Sequence, residues 1–286
     1  METPRRLWSL FEPVHAVSYF APQAGAAFEE AGLRGFWRRY FAGRAAPLGA
    51  VGPATVTAAF FGFAPAMVAR ALPDVWTRIS PRAALAARAA GARAALRELL
   101  PDAGEPAVVE AAELLSAAAQ AVDLPGRVLA GANLDLPWPD DTLDRLWHAA
   151  TILREHRGDG HVAALLTAGV GGCESLVWRT ALDGGRLRDS LQPARGWTDA
   201  EWQAATERLR DRGWLTPDGT ATAAARSAYA QVEAVTDRLA AGPWQRLGPE
   251  RTERCAQVLG PVITRIWTVL PENNPIPLPP PKTGAT

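Results

Sequence analysis

The stretch from Ser80 to Pro101 sets the fold class. It is built of Ala, Arg and Leu, all strong helix formers, with Ser80 as the cap, Pro81 in the first turn and Pro101 as the stop. The same period recurs. Ala107 to Ala121 puts Val108, Ala111, Leu114, Leu115 and Ala118 on one face, and Asp141 to Arg157 carries the stripe Leu143, Leu146, Trp147, Ala150 and Leu153. Gly158 predicts a helix stop, and Asp159 the cap of a further helix from Gly160 to Ala168. Asp123 to Asp140, rich in Pro, Gly and Asn, reads as a long ordered loop. Shorter helices fit between the prolines of the N-terminal region. One starts at Pro13, with Glu12 near its N-terminus, and runs to Tyr19 or Phe20. Others cover Ala24–Glu30, Gly35–Phe41, Ala54–Phe61 and Pro65–Ala71.

Composition narrows the class of function. At ~150 residues per domain, 286 residues imply about two domains. Thirty basic and thirty acidic side chains cancel, so no global field draws the chain to nucleic acid or an anionic membrane. All but one of the basic residues are arginine, the exception being Lys282. With abundant Ala this reflects a GC-rich genome, so arginine count alone is no sign of phosphate binding. Cys173 and Cys255 are too few for a disulfide framework or a cysteine-rich zinc site. No apolar run reaches the ~18 residues of a membrane span. The first residues lack the apolar core of a signal peptide. A soluble, cytoplasmic protein is expected.

The last third has a sharper pattern. Thr198 and Glu201 form a capping box at the start of a helix that ends at Arg212-Gly213. Trp214–Thr216 and Thr220–Thr222 read as two short strands around a Pro217-Asp218-Gly219 turn, and a long helix follows from Ala223 to Ala240. Helix, hairpin, long helix is the layout of a winged helix. The matching run TDAEWQAATERLRDRGWLTPDGTATAAARSAYAQVEAVTDRLA resembles MarR-type regulators. Taken whole, with EPVHAVSYF at 12–20, RAAPLG at 44–49 and REHRGDGHV at 154–162, the chain resembles an actinobacterial family of MarR-like helix-turn-helix proteins. The resemblance implies a mostly α fold, a helical N-terminal region plus a C-terminal winged helix with a small β-hairpin. It implies fold more than activity. MarR-type domains pair through their terminal helices, so a homodimer is expected, or burial of Leu247, Val258, Leu259, Val262, Ile263, Ile266 and Trp267 against the N-terminal helices. The division expected is 1–180 for the helical domain, 181–270 for the winged helix and 271–286 for a Pro-rich tail.

Charge argues against DNA. Asp199 and Glu201 occupy the first turn of the recognition helix, the turn that reads base edges. Arg195 to Ala240 holds six arginines against seven carboxylates, net −1, whereas counterion release needs several cations on one face.

Two segments carry chemistry. In the first, His15 and Tyr19 share a helix face, and Glu12 with His15 is a candidate acid/base pair. In the second, Glu155, His156, Arg157, Asp159 and His161 form the densest polar run in the chain. His161, placed in the first turn of a new helix, would be kept neutral by the dipole. Two histidines five apart across a glycine match metal spacing only loosely, and no HxxxH or CxxC supports them, so no metal is expected. Tyr40 and Arg44 precede a Gly/Pro-rich turn, where a guanidinium can reach a carboxylate or phosphate. Aligning His15 with His161 suggests a degenerate duplication with both histidines at helix starts, facing one cleft. The reading is a small anionic ligand in that cleft, with Glu12, His15, Glu155 and His161 as catalytic candidates for elimination or isomerisation chemistry. Tyr19, Tyr40, Arg44, His156, Arg157 and Asp159 would bind the ligand. No phosphate loop or dinucleotide fingerprint is present, so no cofactor is expected. The alternative is a MarR-like DNA-binding regulator with the cleft as its effector site.

Overall fold

Helices begin where prolines fall. Pro22, Pro53, Pro65, Pro81, Pro106 and Pro249 each sit in a first turn, where the missing N–H would have had no intrahelical partner. The computed structural model describes residues 3–271; apart from Pro271, the expected Pro-rich tail lies outside them. In chain order the helices are α1 Thr3–Phe20, α2 Pro22–Glu30, α3 Phe36–Ala45, α4 Pro53–Ala59, α5 Pro65–Ala71, α6 Val75–Arg78, α7 Pro81–Leu99 and α8 Pro106–Gln120. Then come α9 Val128–Leu134, α10 Thr142–Thr167, α11 Gly172–Leu182, α12 Arg188–Arg195, α13 Asp199–Asp211, α14 Ala223–Leu239, α15 Gly242–Leu247 and α16 Pro249–Ile266. Among the described residues no single helix is long and apolar enough to cross a membrane.

The chain divides into two units, and not at residue 180. The first gathers 3–50, 74–159 and 237–271, the second 51–73 and 160–236. In the first unit, α1, α8, α10 and α16 enclose a core that includes Leu7, Phe11, Leu115, Leu146, Leu259 and Ile263. The apolar positions of the C-terminal segment are thus buried against the N-terminal helix. In the same unit α2 packs closely on α7, where a Cβ on Gly91 would lie 2.7 Å from the Ala24 Cα. The second unit builds its own core on Trp178, Trp202, Leu209 and Leu215. Within it α12, a tight turn and α13 form a helix-turn-helix. Gly196 closes α12 at φ 74°, and a Cβ there would strike Met67, so both conformation and space require glycine. Thr198 and Glu201 make the expected capping box.

Four expectations are corrected. Helix α10 does not stop at Gly158 but runs through Gly158, Asp159 and Gly160. The glycines cost roughly 1 kcal/mol each, and packing on both sides of them outweighs that. Asp159 does cap a helix, but a different one: its Oδ2 accepts from Leu129 N and Ala130 N, 3.0 Å each, at the start of α9. Helix α9 interrupts the expected loop. Helix α1 begins ten residues before Pro13, which lies inside it. The lost hydrogen bond costs ~3 kcal/mol, offset by the buried stripe Leu7, Phe11, Val14 and Val17. The hairpin shrinks to one antiparallel bridge, Leu215 to Ala221. Two backbone bonds flank that bridge, Thr216 N to the Thr220 carbonyl and Thr222 N to the Trp214 carbonyl, and α14 follows at once, its first turn capped by the Thr222 Oγ1 accepting from Ala225 N. Consequently neither His15 nor His161 stands at a helix start; both are in helix interiors.

Candidate functional site

Helices α1, α3, α7 and α10 of the first unit surround a buried ionic cluster. Glu155, on α10, sits at its centre. Arg44 grips both its oxygens, Nε to Oε1 at 2.9 Å and Nη2 to Oε2 at 3.0 Å, a bidentate pair. Arg154 adds Nη1 to Oε1 at 2.9 Å and reaches the Glu12 carboxylate through Nε at 3.3 Å. Trp8 Nε1 donates to the other Glu12 oxygen at 2.8 Å. Arg44 also donates to the Tyr40 hydroxyl at 3.2 Å. Next to this cluster, His15 bonds Thr151 Oγ1 through Nδ1 at 2.9 Å and the Tyr19 hydroxyl through Nε2 at 2.8 Å. Its ring lies parallel to that of Trp147, centroids 6.4 Å apart.

The electrostatics follow from burial among arginines. Burial alone would raise the pKa of Glu155, but Arg154 and Arg44 outweigh it and hold the carboxyl well below the usual range. Burial, with Arg154 next, lowers His15 well below an ordinary imidazole, so it is neutral. Burial pushes the Tyr19 phenol up. Glu12 and His15 share no hydrogen bond: Glu12 is taken by Trp8 and Arg154, His15 by Thr151 and Tyr19.

A narrow cavity of about 20 Å³ opens beside His15, Tyr19, Tyr40 and Arg44, room for about one water. The most buried of the arginines that line it is Arg88 of α7. Arg88 donates to the Gly43 carbonyl at 3.0 Å and to Asn133 Oδ1 at 3.1 Å, and its buried Nε has no hydrogen-bond partner. Among the described residues no carboxylate pairs with it, and burial lowers its pKa to about 10. Composition hid this residue, because arginine is common here. Position could have shown it: Arg88 lies on the small-residue face Ala84, Gly91, Ala92 and Ala95 of α7, where a cation has no solvated exit. Arg154 and Thr151 were missed for the same reason, being judged by type rather than by helix face.

The remaining expected residues go elsewhere. His156 is buried, its carbonyl accepts from Arg127 at 2.8 Å, and burial with Arg127 lowers its pKa to about 4. Arg157 pairs with Asp237 at 2.7 Å and lies over the Trp8 ring. Asp159 is raised to about 6 by burial. His161 belongs to the second unit, where it bonds Thr236 Oγ1 at 2.9 Å with Glu233 at 3.8 Å. The sequence motifs therefore bring together Glu12, His15, Tyr19, Tyr40, Arg44 and Glu155, while the buried His156 Nε2 has no hydrogen-bond partner and His161 bonds Thr236.

In the second unit the arginines of α13 and the bridge turn are committed internally. Arg208 pairs with Glu174, Arg210 with Glu207 and the Pro217 carbonyl, and Arg212 with the carbonyls of Ala168 and Gly169. Arg212 also stacks over Trp214. The exposed first turn of α13 presents Asp199, Ala200 and Glu201. No curated protein and no solved structure matches the chain significantly. A sequence family described as a helix-turn-helix family matches residues 4–271. The match spans both units, including the α12–α13 turn, and the chain belongs to this helix-turn-helix family.

Proposed function

We propose that this protein binds a small anionic molecule in its first unit, on a helix-turn-helix framework that does not read duplex DNA through base contacts. Arg88 carries the reading. A buried guanidinium without a carboxylate is costly, and an anion drawn to the cavity it lines would offset that cost. The acidic first turn of α13 and its internally paired arginines support the second half. Binding rather than turnover is favoured, because both ring nitrogens of His15 are already hydrogen-bonded. If proton transfer occurs, the Tyr19 hydroxyl and His15 are the pair beside the cavity. Calorimetry with acetate and phosphate tests the site: binding by the wild type that Arg88→Met abolishes supports it, and equal binding by both overturns it.

The second reading is a MarR-like DNA-binding regulator with this cavity as its effector site. Membership of a helix-turn-helix family favours it. A gel-shift series across salt decides between them. Nanomolar duplex binding with a steep salt slope would replace the first reading by the second. Absence of a shift at low salt would remove the second.

A further inference from the structure

The first unit holds a larger hollow than the one the sequence marks. It lies on the other side of Arg88 and Trp147, between α7, the 136–139 segment and the start of α10, and measures about 250 Å³. Its walls are apolar and aromatic: Ala86 and Ala89 from α7, Leu136 and Pro137 from the connecting segment, Trp147 and His148 from α10. A dry cavity of ~150 Å³ already admits a benzene ring, so this one has room for two fused rings.

We propose that this hollow binds a planar aromatic molecule bearing one anionic group. Shape comes from the walls. Trp147 is held by Arg88 stacked 5.1 Å over its ring. His148 is fixed edge-to-face against Trp138, centroids 4.9 Å apart. Two oriented rings and a proline make a slot for a flat guest, since offset and edge-on ring contacts add to plain area burial. Charge comes from the arginines. Arg88 and Arg93 line the hollow against a single carboxylate, Asp144, which Arg93 already holds through Nε at 2.8 Å. Burial and Arg88 keep His148 neutral, with a pKa of about 4. The lining therefore carries one uncompensated positive charge, which attracts an anion and repels a cation. Arg88 lines both cavities. The proposal thus rests on the anion reading above and adds where the body of the ligand lies.

The test uses the full chain and four probes: naphthoate, naphthylmethanol, octanoate and acetate. Calorimetry should show naphthoate binding, with naphthylmethanol and octanoate each about tenfold weaker or more. Ala86 is exposed at the mouth of the hollow, so Ala86→Phe should obstruct it without disturbing the fold. That variant should lose naphthoate affinity by about tenfold while its melting temperature and acetate binding stay unchanged. Equal naphthoate affinity in Ala86→Phe would overturn the proposal, as would naphthylmethanol or octanoate binding as tightly as naphthoate. Acetate binding lost in Arg88→Met, with no naphthoate binding by the wild type, would sink the hollow and leave the anion reading standing. No binding of any probe would sink both.

Discussion

Neutralising Glu155 is the most direct probe of the buried cluster. Glu155→Gln keeps the shape and one acceptor oxygen but removes the negative charge that pairs with both Arg44 and Arg154. Glu155 is 1 % exposed, Arg44 11 % and Arg154 19 %, so water cannot replace it. Removing one member of such a pair costs ~3–5 kcal/mol, most of it from the charge left behind. Arg154 keeps Glu12 at 3.3 Å, which places the expected loss near the lower end, ~3 kcal/mol. At ~2–4 °C per kcal/mol for a body of this size, the melting temperature should fall by ~6–12 °C. Thermal unfolding followed by circular dichroism reads this out. The loss should be constant from about pH 5 to about pH 8, because Glu155 is ionised throughout that range. Adding Arg44→Met to Glu155→Gln should recover part of the stability, since one stranded cation goes with it. A loss below ~1 kcal/mol, the scale of an exposed pair, would show the cluster to be hydrated. A double variant as damaged as the sum of the singles would show that Arg44 and Glu155 act independently.

Three further outcomes are expected. Gly91→Ala should destabilise by ~1–3 kcal/mol despite the better helix former, because its Cβ would press on the Ala24 backbone; a gain in denaturation midpoint would contradict the close packing of α2 on α7. Acid should weaken the first unit: His148 and His156 have pKa values of about 4, below the ordinary 6.5, so their contribution is present above pH ~6.5 and lost as pH falls through ~4. Each accounts for ~2–3 kcal/mol, and His148→Gln should show less acid loss than the wild type in denaturant titrations. Asp159→Ala should cost ~1–2 kcal/mol, as loss of a cap does, and speed amide exchange at Leu129 and Ala130; unchanged exchange there would mean that the carboxylate does not hold the start of α9.

Helices were legible where the signal is local. Ser80, Pro81 and the Ala/Leu/Arg run fix α7 by capping and propensity, and Thr198 with Glu201 fixes α13 in the same way. Reading failed where packing overrides a local breaker. Gly158 and Gly160 look like a helix end, yet α10 continues through them. Pro13 looks like a start, yet the stripe on α1 is already running. The short strands around Asp218 reduce to one bridge, with Thr222 serving both sides of its boundary: its N–H donates to the Trp214 carbonyl and its Oγ1 caps α14.

The site shows the same division more sharply. Residue types marked Glu12, His15, Tyr19, Tyr40, Arg44 and Glu155, and the fold does gather them. What residue types could not show is that gathering these groups uses them up. Each carboxylate found an arginine, both nitrogens of His15 found hydroxyls, and little more than a water's space remained. Those members satisfy one another, and it is Arg88, on the cavity wall, that is left to pair with a guest. Among the unsatisfied groups are two that a search for reactive residues passes over: an arginine on an alanine face and a histidine edge-on to Trp138. Arg88 Nε and His148 Nε2 are both buried without hydrogen-bond partners, and both side chains line the larger hollow. In an interior where most polar groups are paired, function is better sought where two unpaired groups line one hollow than among groups that satisfy one another.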